Sequence, residues 1–162
     1  MPTTLNTPLS LYSIPVVWAV GIWPARKRIG LIERNIGFDN KQPRDNIGKL
    51  TDEYQHVDQE KIDTASRMES AHNNSLEMFP LWIGAVLAGN QVGLDNWTLN
   101  VASIAFIGIR LAYSYIYVNQ KTDRQATLRS IAWLASISIP MTLIIKAANK
   151  TKAIGQFRGI AT

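Results

Sequence analysis

The feature that most constrains this chain is its division into long apolar stretches separated by charged segments. Residues 9–25 and 131–145 contain no charged side chain, and residues 97–118 contain a single one, Arg110. A helix that crosses a bilayer needs about 20 predominantly apolar residues, so these stretches are close to the required length. We therefore expect helices that present apolar surface to one another or to lipid.

Four helices are the simplest organisation that the polar segments between these stretches allow. The segments at residues 90–96 and 119–124 are short turns, whereas the polar stretch after residue 28 is long and rich in Gly, Asn and Pro. We therefore predict a single domain over residues 1–162, an all-α integral membrane four-helix bundle with up-down-up-down topology. The expected helices span about residues 9–28, 63–90, 97–119 and 125–149, and the expected polar loop spans about residues 29–62.

The distribution of Lys and Arg predicts an orientation for such a bundle. The first and third loops carry eight and three of these residues, whereas the N-terminus, the second loop and the tail together carry four. Since cytoplasmic loops are enriched in Lys and Arg, we expect loops one and three in the cytoplasm. The basic cluster at residues 26–28 follows the first apolar stretch, which is typical of a retained anchor and not of a cleaved signal. Hydropathy alone also allows a soluble four-helix bundle with unusually apolar helices.

Composition and charge exclude several classes of site. The chain has no Cys, which rules out disulfides, Cys-based zinc sites and a thiol nucleophile in the protein itself. The net charge of +5 arises without the dense basic stripe of a nucleic-acid reader, so we expect no nucleic-acid partner. His56 falls in the polar loop, and His72 lies on a different helix face from Asn74 and Glu77. We therefore expect no metal site.

Polar and ionisable side chains within the expected helices are the candidate functional residues. A charge inside a membrane helix is costly and is usually turned inward and paired. Spacings of three and four residues place the candidates on helix two along one face, and those on helix three along another. The candidates are Arg67, Ser70, Asn74 and Glu77 on helix two, Arg110, Tyr113 or Ser114, and Tyr117 on helix three, and Arg129 and Ser130 at the start of helix four.

Spacing alone supports two interpretations of these residues. They could cross-link the bundle, with Glu77 paired to Arg110 or Arg67 and with Asn74 bridging two helices. They could instead form a polar cavity near the cytoplasmic end for a small anionic or zwitterionic ligand. In that case the arginines would bind carboxylates of the ligand and Glu77 would bind its amine.

Three ordered motifs lie on the second, third and fourth expected helices. The first contains Arg67, Ala71, His72, Asn74, Leu76, Glu77 and Pro80, the second contains Arg110, Tyr113 and Tyr117, and the third is Leu128, Arg129 and Ser130. Together they resemble the signatures of the MAPEG family, the membrane-associated proteins of eicosanoid and glutathione metabolism. Residues 38–44 are similar to a segment of the fungal branch of that family.

The resemblance implies a homotrimer that holds glutathione between neighbouring subunits near the cytoplasmic face. The implied activity is that of a microsomal glutathione transferase or peroxidase in the endoplasmic reticulum, acting on a lipophilic electrophile that arrives from the lipid bilayer. By the same resemblance Arg129 and Tyr117 would be catalytic and would stabilise the glutathione thiolate. The implied glutathione-binding residues are Arg67, Asn74, Glu77, Arg110, Tyr113, Tyr117 and Ser130.

Two positions differ from the family pattern. Many glutathione-using members carry Arg where this chain has Ser70, and Asn where it has Met78. A lost guanidinium beside a ligand removes a charge-assisted hydrogen bond of about 1 to 3 kcal/mol. The family also includes members that bind lipids or partner proteins without catalysis, so a non-catalytic lipid-binding or partner-binding membrane scaffold is the alternative function.

Overall fold

The structure, a computed structural model, describes residues 4–52 and 57–160. Within these residues the regular secondary structure is all helical, which confirms the all-α class. His56 lies outside the described residues. A short 3-10 turn, Ser10–Tyr12, leads into five α-helices, namely α1 Ser13–Ile36, α2 Asn46–Asp52, α3 Gln59–Gln91, α4 Asn96–Asn119 and α5 Asp123–Ile160.

Side-chain caps and glycines set several helix ends. Asp58 caps α3 by accepting a hydrogen bond from the Glu60 amide at 3.1 Å, and Asp95 caps α4 by accepting one from the Thr98 amide at 2.8 Å. That hydrogen bond from Thr98 lowers the pKa of the Asp95 carboxyl. Gly37 follows the last residue of α1 with φ of +76°, a conformation that suits glycine at a helix end.

The structure corrects the expectation of a continuous polar loop over residues 29–62. Helix α1 continues to Ile36, and α2 forms within the same stretch. The physical reason is a small apolar cluster in which Ile32, Leu50 and Ala65 are fully buried. These residues join α1 and α2 to the start of α3, although Leu50 and Ala65 each have polar neighbours on both sides in the sequence.

Helix α5 is also longer than expected, since it reaches Ile160 rather than ending near residue 149. Residues 149–160 contain no Pro, and an established helix propagates readily through such a segment.

Polar contacts fix the turn before α2. Asn46 is almost fully buried, and its side-chain amide donates to the carbonyl oxygens of Asp39, Gln42 and Pro43 at 3.0–3.2 Å. The Asp39 carboxylate accepts a hydrogen bond from Lys49 Nζ at 2.5 Å and from the Lys41 amide at 2.8 Å. The bond from Lys49 is the main cause that lowers the pKa of the Asp39 carboxyl.

Helix α3 packs against every other α-helix and carries the centre of the core. Trp82 is fully buried and stacks on Phe106 of α4, with ring centroids 4.2 Å apart and planes inclined by 4°. Its indole nitrogen donates to Ser13 Oγ of α1 at 3.1 Å. The remaining buried side chains of this cluster are Val17, Met78, Ala85, Val86, Leu99 and Leu143. One tryptophan therefore connects three of the long helices.

A small residue permits the close approach of α3 and α4. A Cβ atom at Gly89 would lie 2.7 Å from Leu99 Cδ2, and Leu99 is 1% exposed. Gly84, on the same helix, has nothing within 4 Å of the corresponding position. Of these two glycines, Gly89 serves helix packing and Gly84 faces outward.

Two helices of the described residues are long and apolar enough to cross a membrane, α4 and the segment Asp123–Gly155 of α5. A core helix of a soluble protein can pass this test, but it is mostly buried. Here only 33% and 22% of the two apolar windows are buried, and side chains such as Ile104 and Leu134 are about 60% exposed. α1 and α3 do not meet the criterion, because the second half of α1 is charged and the first half of α3 is polar. Four membrane spans stay a prediction.

Candidate functional site

Two arginines and two tyrosines stack in series along the contact between α4 and α5. Arg110 Cζ lies 4.4 Å from the centroid of the Tyr113 ring, and the rings of Tyr113 and Tyr117 meet edge to face with centroids 5.6 Å apart. Arg129 Cζ of α5 lies 4.7 Å from the Tyr117 centroid. The three α4 residues share a face because of their spacing, and the short turn before α5 returns Arg129 to that face. We name these four residues the Arg–Tyr ladder.

Arg110 is the buried end of the Arg–Tyr ladder, with 2% of its surface exposed. Its guanidinium donates to Asn74 Oδ1 at 3.2 Å and to Ser75 Oγ at 2.8 Å, both on α3. Within the described residues it forms no ion pair with a carboxylate. A buried cation with neutral partners is costly, and such residues in membrane helices usually serve a functional site.

Glu77 is exposed and forms no ion pair in the part of the chain that the structure describes. The cross-linking interpretation placed Glu77 against Arg110 or Arg67, and neither contact occurs. Asn74 does bridge α3 and α4, as that interpretation expected. Glu77 nevertheless lies three residues after Asn74 on α3, so it is one helical turn from the residue that contacts Arg110. One side of α3 thus offers a carboxylate beside the Arg–Tyr ladder.

Arg67 lies at the polar end of the Arg–Tyr ladder and not beside Arg110. Its Nε donates to the carbonyl oxygen of Val118, the residue after Tyr117, at 3.2 Å. Its Nη2 donates to Thr64 Oγ1 at 2.7 Å and to Glu60 at 3.1 Å. The Glu60 carboxylate also meets Lys121 Nζ at 3.3 Å, so Arg67 is part of a surface charge network.

The two predicted residues of α5 differ in their contacts. Arg129 donates to Gln120 Oε1 at 3.2 Å in addition to its contact with Tyr117, and is half-buried. Ser130 is exposed, and its hydroxyl donates to the carbonyl oxygen of Ala126 within the same helix. Ser130 therefore points away from the buried part of the Arg–Tyr ladder in a single chain.

Sequence reasoning missed two polar contacts that hold the site. Ser75 binds Arg110, but a single Ser on an apolar helix face gives no signal of that role. Arg28 of α1 forms a 2.5 Å ion pair with Glu69 of α3, which a pattern within one helix does not reveal. His72 Nδ1 lies 2.8 Å from the carbonyl oxygen of Gly21, so this ring joins α1 to α3.

The two positions that differ from the family pattern have distinct environments. Met78 is 5% exposed and belongs to the apolar core around Trp82. Ser70 is half-buried on the helix face between Arg67 and Asn74. Its side chain is short and uncharged, so it offers no cation to a ligand. The chain therefore lacks a polar group at position 78 and a cation at position 70.

A polar cavity of about 390 Å³ opens beside Arg67 at the contact of α3 with the turn before α5. Its lining includes Glu60, Arg67, Gln120 and Lys121, so both signs of charge are present. No group of three or more His, Asp or Glu side chains placed for a metal ion occurs among the described residues. The charged and polar side chains that line this cavity suit an organic zwitterion.

Comparison with known proteins supports one family assignment. A family model described as the MAPEG family matches residues 5–149, which include α1, α3, α4 and most of α5. No curated protein and no solved structure matches the chain. Together with the exposed apolar surface of α4 and α5, the family match indicates a membrane protein. The chain belongs to the MAPEG family.

Proposed function

We propose that this protein is a membrane-bound glutathione-dependent transferase or peroxidase that acts on lipophilic electrophiles. The observation that carries the proposal is Arg110, a buried cation of the Arg–Tyr ladder without a carboxylate partner in the described residues. Glutathione carries two carboxylates, one amine and a thiol. The arginine cations are complementary to the two carboxylates of glutathione, and the Glu77 carboxylate, which has no ion pair among the described residues, is complementary to its amine.

The binding roles follow from charge and position. Arg67 and Arg110 would bind the two carboxylates, with Asn74 keeping Arg110 in place. Glu77 would bind the amine, because it is exposed and lies one helical turn from Asn74, which contacts Arg110. Tyr113 and Ser130 would donate hydroxyl hydrogen bonds to the peptide part.

Arg129 and Tyr117 would act on the sulfur of glutathione. When bound, glutathione supplies the thiol that reacts as a thiolate. The guanidinium of Arg129 remains cationic at neutral pH, and beside sulfur it increases the thiolate fraction. The Tyr117 hydroxyl would donate a second hydrogen bond, and the contact of its ring with Arg129 keeps both groups oriented.

A single chain leaves several of these groups open. Glu77 and Ser130 are exposed, although they belong to the proposed binding set. A neighbouring subunit would cover them and exclude water from the thiolate. This supports the proposal of a homotrimer with the site between subunits, in a membrane of the endoplasmic reticulum with loops one and three in the cytoplasm.

A conjugation assay with a lipophilic aryl halide tests this proposal. We expect Arg129→Gln to lower kcat by about tenfold or more, because a charge-assisted contact contributes about 1.5 to 3 kcal/mol. Arg124→Gln is the matched control, since Arg124 is exposed on the same helix and has no partner among the described residues. Equal activity of the two variants would refute the role of Arg129, and an inactive wild-type protein would refute catalysis.

The second candidate function is a non-catalytic scaffold that binds lipid or a partner protein. The specific observation in its favour is that Met78 lies in the apolar core, where many glutathione-using members have a polar residue. This function requires lipid or partner binding that is independent of glutathione. Binding of that kind in the Arg129→Gln variant, with no conjugation by wild type, would favour it.

A further inference from the structure

A groove between α1 and α3 combines three cations with an apolar floor, away from the Arg–Tyr ladder. Its cations are Lys27 and Arg34 of α1 and Lys61 of α3. The floor includes Leu31 and Met68, and the volume is about 460 Å³. None of these residues has a role in the proposed reaction.

Among the described residues the lining of the groove is positively charged. It contains three cations and no carboxylate. The acids next to it on the same helices are engaged elsewhere, since Glu69 pairs with Arg28 at 2.5 Å and Glu33 accepts the Phe38 amide at 2.7 Å. The three cations therefore have no counter-charge in the groove from the part of the chain that the structure describes.

The cations also keep most of their hydrogen-bond donors. Arg34 uses Nε for the carbonyl oxygen of Gly30 at 3.0 Å, and Lys61 donates to Asn35 Oδ1 at 3.0 Å. An ammonium has three donors and a guanidinium five, so most remain for a ligand. Lys27 has no hydrogen-bond or ion-pair partner among the described residues.

The position of the groove relates it to the membrane surface. The uncharged residues 9–25 end within α1 at the basic residues 26–28. With loop one in the cytoplasm, as proposed above, this point of α1 would lie at the cytoplasmic headgroups. The floor residues Leu31 and Met68 also pack near Val118, at the polar end of α4. The groove thus offers apolar surface and cations at the depth of lipid headgroups.

We propose that this groove binds an anionic phospholipid whose headgroup carries more than one phosphate. Lys27 and Arg34 are seven residues apart on a helix, about 10 Å along its axis, which is longer than one phosphate. Two phosphates would span these cations, with Lys61 at the Arg34 end beside Asn35, while the start of an acyl chain covers Leu31 and Met68. Clusters of Lys and Arg just cytoplasmic of a membrane helix bind polyanionic headgroups in this way.

Native mass spectrometry of the detergent-purified protein tests the proposal with dioctanoyl phosphatidylinositol bisphosphate as the probe. Dioctanoyl phosphatidylcholine serves as the neutral lipid and inositol trisphosphate as the soluble headgroup. We expect wild type to bind the bisphosphate lipid at least tenfold more tightly than phosphatidylcholine. The triple variant Lys27→Gln, Arg34→Gln, Lys61→Gln should weaken that binding at least tenfold, and Lys27→Gln alone should weaken it in part.

The matched control is Lys41→Gln, Arg44→Gln, Lys152→Gln, which removes three exposed cations outside the groove. An equal loss of binding in both triple variants would overturn the proposal, because net charge alone would then explain it. If inositol trisphosphate binds as tightly as the lipid, the ligand of the groove would be a soluble polyphosphate and not a lipid. If glutathione displaces the lipid, the groove would bind glutathione instead. The proposed function is tested separately, through the Arg129→Gln variant.

Discussion

Trp82 is the largest fully buried side chain and connects α3 to both α1 and α4. We predict that Trp82→Ala destabilises the protein by about 3 to 5 kcal/mol, because it removes the stacking on Phe106 and leaves a cavity. Thermal unfolding in detergent measures the change. Trp18→Ala is the control, since Trp18 is 52% exposed and should change stability by less than about 0.5 kcal/mol. Equal unfolding temperatures for the two variants would contradict the account of the core.

At the scale of single residues, the sequence predicted stripes within one helix better than contacts between helices. The spacing of Arg110, Tyr113 and Tyr117 placed them on one face, and their stacking agrees with that placement. The contact of Arg110 with Ser75 was not predictable, because it depends on how α3 and α4 pack. The same limit applies to Arg67, whose contacts with Val118 and Glu60 were not predictable from the sequence.

Helix packing supplies a prediction with an internal control. We expect Gly89→Val to destabilise the protein by about 1 to 3 kcal/mol, because the added atoms meet the buried Leu99 side chain. Gly84→Val should be within about 0.5 kcal/mol of wild type, since Gly84 faces open space and Val is a slightly better helix former than Gly. Chemical denaturation of both variants in one detergent gives the comparison. Similar losses in both would show that α3 and α4 do not approach closely at Gly89.

The turn before α2 gives a prediction of pH dependence. The pKa of Asp39 is lowered in the folded chain by its bond from Lys49, so this contact contributes stability above the ordinary carboxyl pKa of 3.8. That contribution is lost as the pH falls below 3.8 through the lowered pKa. We expect pepsin to cut residues 38–50 increasingly over that range.

The comparison with variants isolates the carboxylate. At about pH 5, Asp39→Asn should be cut faster than wild type at the same pH, and this difference should shrink as the pH falls below 3.8, because wild type then loses the same contact. Asp45→Asn, an exposed change in the same turn, should behave like wild type. An acid-dependent increase in cleavage of Asp39→Asn that matches wild type would contradict the role of the Asp39–Lys49 contact.

At the scale of elements, long periodic stretches were predictable and isolated apolar residues were not. The expected third helix, residues 97–119, differs from α4 by one residue at its start. The extension of α1 and the whole of α2 depend on the packing of Ile32 against Leu50, a contact between two helices that no pattern within one helix reveals. Gly37 and Pro43 correctly predicted a break in the helical structure, but this break covers only the segment between α1 and α2.

The whole molecule exposes large apolar side chains along two of its long helices. Side chains such as Ile104, Ile131, Leu134 and Ile145 are each more than half exposed along α4 and α5. We predict that the protein stays in the membrane pellet after a wash at high pH, because this surface contacts lipid. An antibody blot of pellet and supernatant makes the measurement. Release into the supernatant would support the soluble four-helix bundle instead.

The central claim is that the charged groups around the Arg–Tyr ladder bind glutathione. Calorimetric titration of glutathione into the detergent-purified protein tests it most directly, with Arg67→Ala and Glu77→Ala as the site variants and Arg124→Ala as the control. We predict saturable binding by wild type and by Arg124→Ala, and none by either site variant, while all four proteins keep the same oligomeric state. No binding by a folded wild-type oligomer, or unchanged binding by both site variants, would contradict the account.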